Sequence, residues 1–386
     1  MQDPEVKLPD FANVLAIAAF FLPLFSAGSL AVGQSNAGIW LGTAGNRIGM
    51  DKGIYFAKLS DNEKSISRPR LVHKLENAGW VASSPSTMMY ATGKIDGKHV
   101  VVTFDGSDQS KPIQHQEIGD GGSCFITTDK TGRILMSAQY GGGSIAVFPI
   151  DEDGHLGPRS QLFEHEGGSR IVGKRQNSPH PHYVAVSPDN RFAFVPDLGL
   201  DQLIAYRIDV ENQKLESAGS VDVEPGGGPR HMKFHPSGKF AFVLNEFSLA
   251  VTTFSYDAAS GAMTKLHTVE ALNDAEKKQN SFNSASEIRI HNSGKMVVTA
   301  NRGHDSLSVF TFDAASKNLT RVQVEPIRGS WPRNFNFIAN GKLLIAAGSD
   351  SNSLTLFSVD SSSNRLKYLQ HKSVLVPAPI CVCVVE

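Results

Sequence analysis

Nine residues fall where short apolar stretches begin or end, and their types suit chemistry: His180, His182, Asp197, Arg230, His231, Glu246, Arg302, Arg333 and Tyr140. Arginine presents a planar fork of donors that matches a carboxylate or a phosphate. A histidine or glutamate beside it can take a proton from water or return one to a leaving oxygen. Brought together, such a set suits an anionic substrate and acid–base chemistry. Each residue alone would pass for a solvated strand end. What sets them apart is that a repeated framework holds them, and that the framework does not require different charged residues at equivalent positions.

The framework is a strand–turn–strand unit. Asn177-Ser-Pro-His-Pro-His182 leads into an apolar run, a Ser-Pro-Asp-Asn turn and a second apolar run ending on Asp197. Gly228-Pro-Arg230-His leads through Phe-His-Pro-Ser-Gly-Lys to Leu-Asn-Glu246, Ser286 to Arg302 forms a third copy, and Trp331-Pro-Arg333 to Gly348 a fourth. Each continues into a third strand, such as Gln202–Ile208 or Ser306–Phe312, and then a polar turn and a weaker fourth strand. Four strands repeated roughly every 45–55 residues is the spacing of propeller blades. A sandwich does not repeat internally at this length, and the coils of a β-helix are shorter. The expected fold is all-β: a seven-bladed β-propeller of four-stranded antiparallel blades. The first unit lacks an inner strand and the chain ends on an unpartnered one, Ala378–Val385, so the C-terminal strand is expected to close the ring in the first blade. In a blade the inner strand crosses the disc and the second strand returns. The residue before the one and the residue after the other therefore share a face near the central channel. That rule gathers the nine residues, and strand alternation leaves the choice between His180 and His182 open. Two loop excursions, Glu164 to Asn177 and Leu272 to Ser284, precede inner strands, where binding residues tend to sit.

Bulk properties narrow the function. The chain has 386 residues, with 37 Lys+Arg against 38 Asp+Glu, and no basic run, so a nucleic-acid partner is not expected. The three cysteines form no disulfide framework. Cys381 and Cys383, two apart in a strand, read as small apolar residues. His180-x-His182 offers two metal ligands, but no third at matching spacing, so neither metal nor cofactor is expected. The Gly141–Gly143 and Gly226–Gly228 runs are not followed by helices, so they are loops and not phosphate cradles. No Gly-x-Ser-x-Gly elbow is present.

The N-terminal segment stands apart. Phe11 to Phe25 is almost continuously apolar, too short for a spanning helix but suited to the core of an export signal, and Ala31-Val-Gly33 offers small residues for cleavage. Residues 1–33 are therefore read as a signal peptide or hydrophobic segment, with the propeller at 34–386. Asp3, Glu5 and Asp10 against Lys7 run contrary to a signal's positive start. The alternatives are an uncleaved anchor or a misassigned start. A cleaved signal implies a periplasmic or exported protein with no membrane span left after cleavage, and a misassigned start a cytoplasmic one.

The quoted motifs, above all Gly228-Pro-Arg230-His-Met-Lys-Phe-His-Pro236, resemble the seven-bladed propeller lactonases. That family includes the propeller 6-phosphogluconolactonases and the carboxymuconate-lactonizing enzyme. The resemblance runs from about Gly38 to the C-terminus and implies a His, two Arg and a Glu at the channel mouth. Carried over, these are His182, Arg230, Glu246 and Arg302, with Arg333 and His180 as neighbours. It implies a lactonase opening an anionic sugar lactone without metal, with His182 and Glu246 catalytic and Arg230, Arg302, Arg333 and His180 binding substrate. Two other readings follow: a cyclase acting on carboxy-cis,cis-muconate, and an exported propeller that binds a ligand without catalysis.

Overall fold

The computed structural model describes residues 38–44, 49–60, 65–107, 112–119 and 121–385. Residues 1–37, and with them the whole of the proposed signal segment, lie outside that range. Among the described residues no helix is long and apolar enough to cross a membrane.

The alternation of β-branched and aromatic runs with Gly, Asn, Asp and Pro turns gives seven antiparallel sheets. Their innermost strands are Pro379–Val385, Val81–Ser83, Phe125–Thr128, Ala185–Val186, Pro229–Phe234, Ser284–Ile290 and Pro332–Ile338, in blades one to seven. Each blade has four strands in line, and the seventh carries an extra short strand, Val374–Leu375. The expected closure is present: the C-terminal strand pairs with Gly38–Thr43, matching Trp40 to Cys383 and Leu41 to Val382, and so supplies blade one with its innermost, fourth strand.

Six of the seven second strands are buried along their whole length, as in Phe240–Asn245 and Leu343–Gly348, because both faces are covered by neighbouring blades; in blade two the ends of Met88–Ile95 are half-buried. Aromatic rings fill the wedges between blades: Phe242 meets Phe312 edge-on at 4.8 Å, and Phe194 and Tyr256 stand perpendicular. The repeated His-x-Ser-Gly turns tie one blade to the next. His235 Nδ1 lies 2.8 Å from Ser237 Oγ, while its Nε2 lies 3.1 Å from the Gly294 carbonyl in blade six. His291 contacts Ser293 Oγ in the same way. These histidines, prominent in the repeats, belong to the scaffold.

One departure from regular pairing matters for the site. In blades five, six and seven the inner strand shifts register near its start, between Pro229 and His231, Ala285 and Ile288, and Pro332 and Asn334. A bulge places an extra residue on one strand and re-aims its side chain. Arg230 and Arg333 are the inserted residues in blades five and seven, so each can share the channel with the residue that follows it.

Candidate active site

The bulges, together with the ends of the second strands, bring five blades to one cavity of about 300 Å³. It is lined by Cys124, Tyr140, Arg175, His182, Arg230, Glu246, Arg302 and Arg333. His182 precedes the short inner strand of blade four, and Tyr140 and Glu246 each follow a second strand by one residue. Arg302 is the last residue of Met296–Arg302. The Gly226–Gly228 loop fixes Glu246. Gly228, at φ +66°, accepts from the Glu246 amide at 2.7 Å, and a Cβ there would strike the Phe247 ring at 2.5 Å.

Glu246, only 3 % exposed, is the one carboxylate lining the cavity among the described residues. Its Oε2 accepts from Arg230 Nε at 2.9 Å, and its Oε1 lies 2.9 Å from Arg175 Nη2 and 3.1 Å from Arg302 Nη2. Burial alone would raise its pKa, but Arg302, Arg230 and Arg175 outweigh burial and hold it at about 2. Four arginines face this single carboxylate, leaving a surplus of positive charge. The surplus shows in the arginines themselves: burial, then repulsion among the cations, pulls Arg302 down to about 9 and Arg333 to about 10. Arg302 Nε is buried with no acceptor among the described residues. Arg333 forms no ion pair with a described residue, and the carboxylate that influences it most is again Glu246.

His182 is buried, with Nδ1 3.8 Å from Cys124 Sγ and its ring against those of Tyr140 and His231. Burial first, and Arg230 next, hold its pKa well below the ordinary histidine value, so it is neutral. Burial likewise pushes the Cys124 thiol up to about 11, so it is not a thiolate nucleophile. One layer below, His231 Nδ1 lies 3.0 Å from Glu287 Oε1 and Nε2 lies 2.9 Å from Arg230 Nη1. A carboxylate on one side and a guanidinium on the other place the proton on Nδ1 and leave Nε2 to accept.

The structure brings Tyr140, His182, Arg230, Glu246, Arg302 and Arg333 together and leaves three other expected residues outside the cavity lining: His231 in the layer below, His180 and Asp197. His180 stacks on Tyr140 at 4.4 Å, with Nδ1 2.8 Å from the Tyr140 carbonyl, and so lies behind the cavity wall. Asp197 is fully buried; it accepts from the His180 and Gly199 amides and lies 2.7 Å from His165 Nδ1, fastening the loop that carries His182. The sequence reasoning missed Arg175. It sits on the short 3-10 turn Gly173–Gln176, and buried Gln176 anchors that turn through Leu198 and Asp201. The signal available was the basic cluster Arg170, Lys174 and Arg175 in a loop already marked as an excursion.

Comparison with known proteins agrees with this architecture. Residues 38–384 match the family model for the lactonase, 7-bladed beta-propeller. The chain is 34 % identical over 293 residues to the 6-phosphogluconolactonase of Bacillus subtilis, covering 75 % of this chain and 82 % of that protein. A protein from Lactobacillus plantarum superposes with a TM-score of 0.83 at 27 % identity, covering 90 % of this chain and 99 % of that one. The periplasmic gluconolactonase of Pseudomonas aeruginosa gives 0.81 at 28 %, covering 91 % and 99 %. The five-blade cavity and these likenesses lead to one assignment: the chain belongs to the seven-bladed β-propeller lactonase family.

Proposed function

We propose that the protein hydrolyses an anionic sugar lactone of the 6-phosphogluconolactone class by metal-independent acid–base catalysis in this cavity. The observation that carries the reading is the gathering of four guanidinium groups around one carboxylate, with Arg302 Nε and Arg333 lacking acceptors among the described residues beside a neutral His182. Relatives named for 6-phosphogluconolactone and gluconolactone hydrolysis support it.

The two expected catalytic groups then take different roles. A carboxylate held at about 2 by three arginines is too weak a base to activate water, so Glu246 orients and neutralises the guanidinium cluster. His182 is the base. Its low proton affinity is caused partly by Arg230, and an anion seated on the arginines removes that influence, raising the imidazole toward the working pH. Water attacks the lactone carbonyl as His182 takes its proton. Guanidinium donors stabilise the resulting oxyanion. As the ring C–O bond breaks, His182 returns the proton to the departing alkoxide, which becomes a hydroxyl; the new carboxylic acid then gives its own proton to solvent and the product leaves as a carboxylate.

The test is acid release from δ-gluconolactone and from its 6-phosphate, with cyclisation of carboxy-cis,cis-muconate run alongside. Preferred opening of the phosphorylated lactone is expected. Cyclisation without lactone opening would assign the cavity to the lyase reaction, and binding without turnover would make the protein a receptor.

A further inference from the structure

Propeller inner strands place every second residue toward the channel. Two residues beyond His231, Glu287 and Asn334, the chain therefore presents Lys233, Arg289 and Asn336. These three line a cavity of about 510 Å³ together with Asn292, Asn340 and Phe337, and a second of about 260 Å³ together with Tyr183 and Cys383. Neither cavity shares a lining residue with the candidate active site.

We propose that this far side of the channel is a second binding site, for a small oxyanion held between Lys233 and Arg289 and oriented by Asn336. The proposal does not depend on the lactone reading. The first support is charge. Glu287 is the carboxylate that serves both cations, and it is already committed: Oε1 to His231 and to the Ile288 amide, Oε2 to Asn334 at 2.5 Å and to Arg289 at 3.3 Å. Lys233 pairs with no carboxylate among the described residues. Among the described residues its ammonium hydrogen-bonds only to the Tyr183 hydroxyl, and it stands 4.5 Å from that ring. A half-buried ammonium with a second cation as neighbour is costly unless an anion shares the site. Its pKa, pulled down to about 7 by burial and then by Arg289, agrees with a missing counter-charge.

The second support is connection. Arg289 reaches Glu287, Glu287 reaches His231, His231 reaches Arg230 at 2.9 Å, and Arg230 reaches Glu246 at 2.9 Å. An oxyanion that draws on Arg289 competes with Glu287 for it. Occupancy of the far site therefore changes how firmly the layer beneath holds Arg230.

The experiment is isothermal titration of the full chain with inorganic phosphate and, separately, with gluconate. The wild type, Lys233→Met and Arg333→Met are compared. Two components are expected in the wild type. Lys233→Met weakens one by about tenfold or more, the loss expected for a hydrogen bond to a charged group, while activity without added anion stays within about twofold of wild type. Arg333→Met weakens the other. A Lys233-dependent component with either anion supports the site, and the tighter anion names its ligand. Its absence with both, or a single component lost only in Arg333→Met, overturns the proposal. Should Lys233→Met fail to fold, Asn336→Asp supplies the negative charge from within the chain. Because the same change removes the Asn336 Nδ2 bond to the Val382 carbonyl, binding and not Tm is the readout: the far component should be abolished, and unchanged binding would count against the site.

Discussion

Arg230 Nε and Glu246 Oε2 stand 2.9 Å apart, each about 3 % exposed, across the first two strands of one blade. The pair forms because a bulge turns Arg230 into the channel at the level where the neighbouring strand ends. Its two halves are not equivalent. Arg230→Ala leaves Glu246 with Arg175 and Arg302, whereas Glu246→Gln leaves three arginines without their shared carboxylate. Glu246→Gln is expected to cost about 3–5 kcal/mol of stability, the range for breaking a buried ion pair, and Arg230→Ala less. Both should lower turnover on the order of tenfold or more. Denaturant midpoints and steady-state rates of the two variants check the ordering, and full activity in both would remove these residues from the mechanism.

His182→Gln is predicted to lower kcat by on the order of 10²–10⁴, the usual contribution of a general base. The fold should be unaffected. In the free enzyme the imidazole titrates well below its ordinary value, so the acid limb of kcat/KM should fall below pH 6.5, and the rate should be level between there and neutrality. A limb centred at or above pH 6.5 would place the titrating group elsewhere.

The propeller was legible because it is written several times over. Four copies of one strand–turn–strand unit, with turn residues at fixed offsets, specify a blade, and an unpartnered last strand specifies the closure. The candidate site was legible in residues at or near the ends of regular strands, namely His182, Glu246 and Arg302. It was less so where pairing is irregular. Nothing in the order Pro229-Arg230-His231 says that both side chains reach the channel; that follows from the bulge. Glu287 was passed over because its neighbours, Ser286 and Ile288, read as an ordinary strand start. Arg175 reaches Glu246 across 71 residues of sequence, from a loop whose course no periodicity sets. His180 illustrates the converse, since its spacing matches that of His182 but its ring packs on Tyr140.

Acid should destabilise the protein in two steps. His182 and His231 are kept neutral by burial, the latter drawn down to about 3, and Glu246 is held near 2 from an ordinary 4.5. Over this range the unfolded chain binds more protons than the folded one, so stability rises with pH. The histidine contributions are complete above pH 6.5 and diminish below it. The Glu246 contribution is complete above pH 4.5 and is lost toward pH 2. Each proton involved adds about 1.4 kcal/mol per pH unit. Urea midpoints should decline from pH 6.5 to pH 3, with Glu246→Gln showing a smaller loss below pH 4.5, since Glu287, despite burial also held well below the ordinary carboxylate value by Arg289 and His231, still contributes there. A flat profile would contradict the described protonation states.

Chelation should leave the reaction unchanged. Among the described residues, the one cluster with the donors for a cation is Asp151, Asp153 and His155, and none of these lines the cavity. Rates measured before and after treatment with EDTA are expected to agree within error. Loss of activity restored by a divalent cation would require a metal step in the mechanism.

Arg333 separates substrate recognition from stability. It is a half-buried cation held down to about 10 by desolvation and by Arg230, with no ion pair to a described residue. Removing it relieves repulsion, so Arg333→Met should be as stable as the parent or more so, in line with apolar replacement of buried charge. Its donors face the cavity and fit an oxyanion on the substrate, so the same variant should raise KM for the phosphorylated lactone. A hydrogen bond to a charged group is worth about 1.5–3 kcal/mol, which corresponds to roughly a tenfold to hundredfold loss in kcat/KM. For the uncharged lactone, which lacks the phosphate, the loss should be much smaller. Preference between the two substrates, measured side by side, is the decisive ratio. An equal loss on both would make Arg333 an oxyanion group at the carbonyl and not the anchor of the substrate's own charge.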